Sequence, residues 1–178
     1  MVRRALLAVL AIALACRASA SDPAPEPRRD HASPMVGYDV RELRPRDGHR
    51  LAEDFDRLRA QAVAEGKHVV AYFSADWCEA CRRLDLELGN LHPAASIGHV
   101  RILKMVEEPW EAATRMNEFN DLRTRFSPAV GTYPLFVLLD AAGRPVEEMR
   151  EAKARLEGMG LEPTVALWFE SIAAQDAQ

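Results

Sequence analysis

Val69-Val70-Ala71-Tyr72-Phe73-Ser74-Ala75-Asp76-Trp77-Cys78-Glu79-Ala80-Cys81 is the stretch on which the reading of this chain turns. Val69 to Phe73 is a near-continuous apolar run. It lacks the alternation of a strand with one wet face, so it reads as a strand covered on both sides. A tryptophan follows, then two cysteines separated by two residues. A helix beginning at Cys78 places Cys81 one turn later and carries Leu84 and Leu88 inward. Gly89-Asn90 ends it.

The neighbouring segments extend this strand-to-helix unit in both directions. Upstream, Leu51, Phe55, Leu58 and Ala62 recur at helical spacing, and Gly66 supplies the stop. Tyr38 to Leu43 reads as a short strand or an ordered lead-in. Downstream, Val100 to Val106 is the next strand. Pro109 suits a first helical position, and Trp110, Ala113, Met116, Phe119, Leu122 and Phe126 then form an amphipathic series. That spacing makes Trp110 and Phe126 core residues. Leu135 to Leu139 is a second strand of the buried type, Asp140 to Gly143 a turn, and Arg144 to Met149 the edge strand of a hairpin. Pro163 opens a last helix with Val165, Trp168 and Ile172 on one face. Ala152 to Gly160 is helix-prone but interrupted by glycine, and the pattern assigns it to no element. The alternating half predicts parallel strands and the terminal hairpin antiparallel ones, an α/β fold with a central mixed β-sheet flanked by helices.

The chemistry of the cysteine pair follows from its position. A thiolate, not a thiol, attacks a disulfide. A helix N-terminus offers unpaired N–H groups and a partial positive charge of about half a unit, which favours the anion of Cys78. Cys81 lies near enough to resolve a mixed disulfide formed at Cys78. Glu79 brings a carboxylate into the same first turn, where it competes with the thiolate for the dipole. The expectation is a less stabilised thiolate and a more reducing couple than strongly oxidising Cys-x-x-Cys proteins have.

On these residues the chain resembles the thioredoxin superfamily. The strand into Ala75-Asp76-Trp77-Cys78-Glu79-Ala80-Cys81, Tyr133-Pro134 at a strand start and the turn at Asp140 to Gly143 carry the likeness, which spans about Leu51 to Ile172. It is similar in particular to exported or membrane-tethered thioredoxin-like domains, such as the C-terminal domain of the bacterial transmembrane disulfide reductase. The resemblance implies a thioredoxin fold, Cys78 as the exposed attacking thiolate and Cys81 as the buried resolving thiol, the two forming the redox-active disulfide. It implies a cis-proline at Pro134, with Trp77, Tyr133 and Pro134 as the substrate-binding surface. Lys104 falls near a strand lysine that influences the buried thiol and, with Glu79, is a tuning residue. It implies no cofactor, protein thiols and disulfides as substrates, and a membrane or exported redox partner that supplies electrons.

The sequence departs from that family in three places. A buried acid normally stands six residues before the first cysteine and helps deprotonate the resolving thiol. Here the position is Tyr72, which leaves that proton to water or Lys104; Tyr72 itself reads as a packed core aromatic with its hydroxyl paired. Met105 to Pro134 is longer than in minimal thioredoxins, so the rim of the site is modified. The residue before the cis-proline is the large Tyr133.

The remaining features set the context. The chain has 178 residues and 48% hydrophobic content, enough for one domain with a true core. Its formal net charge is -4, and without a basic stripe it offers no surface for nucleic acid. Arg3 and Arg4, the apolar run Ala5 to Ala15 and Ala18-Ser19-Ala20 predict a signal peptide over residues 1–20. The run is shorter than a membrane span needs. Ala13-Leu14-Ala15-Cys16 partly matches a lipoprotein box, so a lipid anchor at Cys16 stands as the alternative to soluble export, and a periplasmic location is expected in either case. Residues 21–37 read as a flexible spacer and 38–178 as the thioredoxin-like domain.

Other readings of the cysteines remain. Half a zinc site lacks a second cysteine pair; His92 and His99 are off the usual spacing, so no metal site is expected. Covalent haem needs His where Arg82 stands. The five histidines fit solvent-facing or capping positions better than catalytic ones, and Asp76 fits a solvated helix start. Two further functions stay open: a non-catalytic client-binding or chaperone module using the groove beside Pro134, and a chaperone for copper(I) or another thiophilic ion.

Overall fold

The computed structural model describes residues 33–44, 48–107, 113–127 and 132–176. The expectations for residues 1–20, for Cys16, for most of the spacer, and for Pro109 and Trp110 lie outside them.

Strand β3 (His68–Ser74) is the centre of a five-stranded mixed sheet. On one side it pairs in parallel with β5 (Val100–Val106), which pairs in parallel with the edge strand β2 (Asp39–Leu43). On the other side it pairs antiparallel with β6 (Leu135–Leu139), followed by the antiparallel edge strand β7 (Pro145–Glu148). The order is β2-β5-β3-β6-β7. This is the parallel half and antiparallel half anticipated from the sequence, in the arrangement of a thioredoxin fold.

Side-chain alternation along the central strands sends two sets of residues to two cores. Val70, Tyr72, Ile102, Phe136 and Leu138 face one way. They pack with Leu84 and Leu88 of α2 (Glu79–Leu88), Ala152 and Leu156 of α5 (Met149–Gly158), and Trp168, Phe169 and Ile172 of α6 (Val165–Asp176). Val69, Ala71, Phe73, Leu103, Met105 and Val137 face the other way. They meet Leu51, Phe55 and Ala62 of α1 (Leu51–Ala64), with Phe119 and Leu122 of α4 (Ala113–Thr124). Both faces of β3 are therefore covered, which is why its sequence shows no polar alternation. Each fully buried large apolar side chain here contributes about 1.5–3 kcal/mol. Phe126 packs on Phe55 and Phe73 at ring separations of 5.4 and 5.8 Å, in the core as expected. The stop after α1 is Gly66, whose φ of 73° suits glycine; the Lys67 N–H donates back to the Ala62 carbonyl at 2.9 Å.

Three features differ from the sequence reading. Residues 33–37, expected as the end of the spacer, lie against the domain. Strand β1 (Met35–Val36) pairs antiparallel with β4 (His92–Pro93), and the N–H groups of Ala94 and Ala95 donate to the Pro34 carbonyl and the Ser33 hydroxyl. Sheet pairing thus begins before Tyr38. A short helix, α3 (Ala94–Ile97), buries Ile97 in the α6-side core. The unassigned stretch after the hairpin is α5, and it begins at Met149, so the edge strand ends one residue earlier than expected. A capping box between Glu148 and Glu151 starts this helix. Ala152 and Leu156, four residues apart, bury its inner face. Gly158 falls on its last residue, where it does not interrupt the helix.

Candidate active site

Strand β3 delivers the chain to the site. After Ser74 a tight turn, closed by the Cys78 N–H to the Ala75 carbonyl at 3.0 Å, brings Cys78 to the N-cap of α2. Cys78 and Cys81 are disulfide-bonded, with Cα atoms 5.2 Å apart. The Cys81 N–H donates to the Cys78 sulfur at 3.0 Å. That sulfur thus occupies the place of a capping oxygen, against an N–H that the helix leaves unsatisfied. The same contact favours negative charge on Cys78 once the pair is reduced. Cys81 is buried with Leu84 and Leu88 on the inner face of α2, at steps of three and four residues.

The Tyr133–Pro134 peptide bond is cis. Tyr133 packs against the cluster formed by Ala75, Cys78 and Cys81. Its ring meets the edge of Trp77 at 5.4 Å and lies beneath the Arg123 guanidinium at 5.2 Å. Trp77 is largely exposed, and its Nε1–H donates to Glu107 Oε2 at 3.1 Å. Burial, then the nearby Glu107 charge, pushes the Tyr133 phenol up to about 12, so the hydroxyl stays protonated. A groove of about 460 Å³ runs beside Pro134, lined by Thr132, Tyr133, Met149, Arg150 and Lys153 among others. A cavity of similar size, about 430 Å³, lies at the far end of the sheet between Val63, His68, Leu139 and Ile172. None of the candidate residues lines it.

Behind the disulfide stands Tyr72, six residues before Cys78. It is fully buried, edge-on to Phe136 at 5.2 Å, and its hydroxyl donates to the Cys81 carbonyl at 3.2 Å. Burial above all holds this phenol well above the usual tyrosine range. Lys104 connects to Cys81 through that ring. Its ammonium lies 5.5 Å from the Tyr72 centroid and takes both Asp85 oxygens at 2.9 Å. A carboxylate is therefore present near the resolving cysteine, supplied by the helix one turn after Cys81 instead of by the strand. Glu79 points outward and pairs with Arg83 at 2.6 Å.

The structure thus brings together Trp77, Cys78, Cys81, Tyr133 and Pro134, and sets Lys104 behind them. Glu79 is at the helix start but turned to solvent. Glu107, Arg123 and Asp85 were not singled out in the sequence. Glu107 directly follows β5, and its N–H donates to the Ser74 carbonyl at 2.8 Å. Arg123 is a buried arginine on α4 whose Nη2 donates to the Thr132 carbonyl at 2.8 Å. Cys81 and Asp85 stand four residues apart, one helical turn, and that spacing was the one available signal for Asp85. His92 sits edge-on to Tyr38, and His99 hydrogen-bonds the Phe169 carbonyl at 2.9 Å. Among the described residues, no three His, Cys, Asp or Glu side chains gather where they could hold a metal ion.

Among solved structures, the chain is similar to a disulphide isomerase from Xylella fastidiosa Temecula1. Identity is 19% and the TM-score 0.47, covering 76% of this chain and 98% of that one. It is similar to thioredoxin NaTrxh from Nicotiana alata at 20% identity and a TM-score of 0.45, covering 71% and 94%. It is also similar to a protein described as DsbH oxidoreductase, at 15% identity and a TM-score of 0.39, covering 72% and 82%. No protein-family model matches the chain, and no curated protein matches it.

Proposed function

We propose that this chain is an exported thiol–disulfide oxidoreductase that works in the reducing direction on protein disulfides. One observation carries the reading: a Cys-x-x-Cys disulfide at a helix start, with the Cys81 N–H directed onto the Cys78 sulfur. The cis-proline and the groove beside it supply a surface for an extended substrate segment. The N-terminal Arg3-Arg4, the apolar run to Ala15 and Ala18-Ser19-Ala20 support export. The likeness of Ala75 to Cys81 to the C-terminal domain of the transmembrane disulfide reductase supports the direction.

The reaction balances in two exchanges. The Cys78 thiolate attacks one sulfur of the substrate disulfide. A Cys78–substrate bond forms, and the other substrate sulfur leaves as a thiolate. Cys81, once deprotonated, then attacks the Cys78 sulfur, releasing the second substrate thiolate and closing the Cys78–Cys81 bond. The protein loses two electrons and the substrate gains them; the two protons of the cysteine pair end on the two substrate sulfurs. An exported or membrane-bound thiol donor must re-reduce the pair.

Two measurements test this. The purified protein should catalyse reduction of insulin by dithiothreitol. Cys81→Ser should accumulate a mixed disulfide between Cys78 and its substrate, and mass spectrometry of the trapped protein gives substrate and direction together. A pair that does not cycle with dithiothreitol removes the enzymatic reading. Full biological effect in a double Cys78→Ser/Cys81→Ser variant would instead establish a client-binding module.

A further inference from the structure

Cys78, expected as the exposed thiol, is only 6% exposed, and Cys81 is 1% exposed, so both are covered in the disulfide state because Tyr133 packs on them. Disulfide exchange depends on access to the attacked sulfur. The cover is therefore part of the chemistry.

The covering side chain is Tyr133, packed on the cysteine cluster. Its ring is held on three sides: Trp77 edge-on at 5.4 Å, Phe119 stacked at 6.5 Å, and the Arg123 guanidinium at 5.2 Å. Arg123 also fixes the backbone beneath, through the Thr132 carbonyl. One carboxylate joins the two aromatic residues that flank the site. Glu107 accepts from the Trp77 indole at 3.1 Å, and its charge lies close enough to the Tyr133 phenol to help hold it protonated. Three segments far apart in sequence, at positions 77, 107 and 133, meet at this one group. Without it, an indole that is 67% exposed would be free to turn through its rotamers.

We propose that Glu107 is a positioning residue that latches Trp77 and Tyr133 into an aromatic gate over Cys78, so that the site selects its disulfide partners by bulk. The proposal rests on Cys78 being the attacking thiol, as read above. A small disulfide reaches the sulfur past the closed gate. A bulky one enters only when the Glu107 contacts are exchanged, which a substrate backbone seated beside Pro134 achieves by displacing the Tyr133 ring. Glu107 touches neither sulfur, and its role is exerted through the two rings.

The test uses the full-length reduced protein and two reagents of the same chemistry, iodoacetamide and a long iodoacetyl-polyethylene glycol. Alkylation at Cys78 is followed by mass spectrometry. Both reagents attack the same thiolate, so the ratio of their rates cancels any change in thiolate fraction and reports access alone. Glu107→Ala should raise the polymer-to-iodoacetamide ratio about tenfold, the scale of losing a hydrogen bond to a charged group. Tyr133→Phe, which deletes the phenol oxygen beside the Glu107 charge and leaves that charge in place, should raise it about threefold, the scale of a weaker polar contact. Glu107→Gln should fall between Glu107→Ala and the parent, because its amide oxygen still accepts from Trp77. A ratio unchanged in Glu107→Ala overturns the gate. Where that variant fails to fold, an unchanged ratio in Tyr133→Phe does so alone. A reduced Cys78 that reacts with neither reagent overturns the thiol chemistry itself, and that result is distinct from an unchanged ratio.

Discussion

The two ends of β3 are built from opposite materials. At its start, charges close the sheet. Arg101, almost fully buried, donates from Nε to Asp39 at 2.9 Å and from Nη2 to Glu65 at 2.8 Å, and Lys67 reaches the same Asp39 oxygen at 2.6 Å. At its other end, the chain leaves into Trp77 and the disulfide, where rings and hydrogen bonds do the holding. A buried ion network resists disturbance because removing one member leaves another charge uncompensated. Ring contacts and single hydrogen bonds can be exchanged for equivalent ones with a substrate. The first end sets whether the domain stays folded; the second sets what reaches the sulfur.

The sharpest way to break this contrast is Arg101→Met. It should lower unfolding free energy by about 2 kcal/mol, the scale of losing a hydrogen bond to a charged group, since the nearly buried Arg101 leaves Asp39 while Lys67 and Arg41 still pair with it. Urea unfolding of the oxidised protein measures it. Under native conditions the rate of Cys78 alkylation after reduction should stay at the parent value. A change in that rate comparable to the loss of stability would show that the two ends are coupled, and the contrast would fail.

Acid probes the same end with a smaller effect. Burial alone would raise the Asp39 carboxyl. Hydrogen bonds from Lys67 and Arg101 outweigh it and hold Asp39 below the usual carboxylate range. The folded state then binds fewer protons than the unfolded chain, so stability rises with pH across that interval. The contribution is fully present above about pH 4, the unfolded value, and is lost as pH falls toward the depressed folded value. The urea midpoint should drop between about pH 5 and pH 3. That slope should be shallower in Arg101→Met. An identical slope would remove Asp39 from the account of acid sensitivity.

The sequence disclosed these regions unevenly, for physical reasons. Val69 to Phe73 and Leu135 to Leu139 are apolar on both faces because both faces are buried, so the two central strands were legible. The cysteine pair carries its own spacing. The Met35–Val36 ladder with His92–Pro93 was not legible, since two residues have no period to detect. Helix α5 was obscured by glycines that fall at its end and beyond it. Glu107 and Arg123 were hidden for a deeper reason. One reads as a charge after a strand, the other as a charge on a helix, and only the packed fold brings them to Trp77 and Tyr133. Asp85 likewise acquires meaning only when Lys104 is found across from it.

The smallest effect concerns Glu79, where the sequence argument needs its neighbour included. A carboxylate in the first turn of α2 opposes a thiolate at the N-cap. Yet the Glu79 side chain is 68% exposed and pairs with Arg83 at 2.6 Å. Solvent and the guanidinium both screen it, so its influence on the couple should be well below what one unscreened charge would exert. Glu79→Gln should raise the reduction potential of the Cys78–Cys81 pair by about 10 mV, a fraction of the roughly 30 mV that corresponds to a tenfold change in the equilibrium. Arg83→Gln should move it the other way, because it uncovers the carboxylate without touching the disulfide. Redox titration against glutathione measures both, and high salt should shrink both shifts together. Shifts of the same sign in the two variants would show that helix stability, not the charge at position 79, sets the potential.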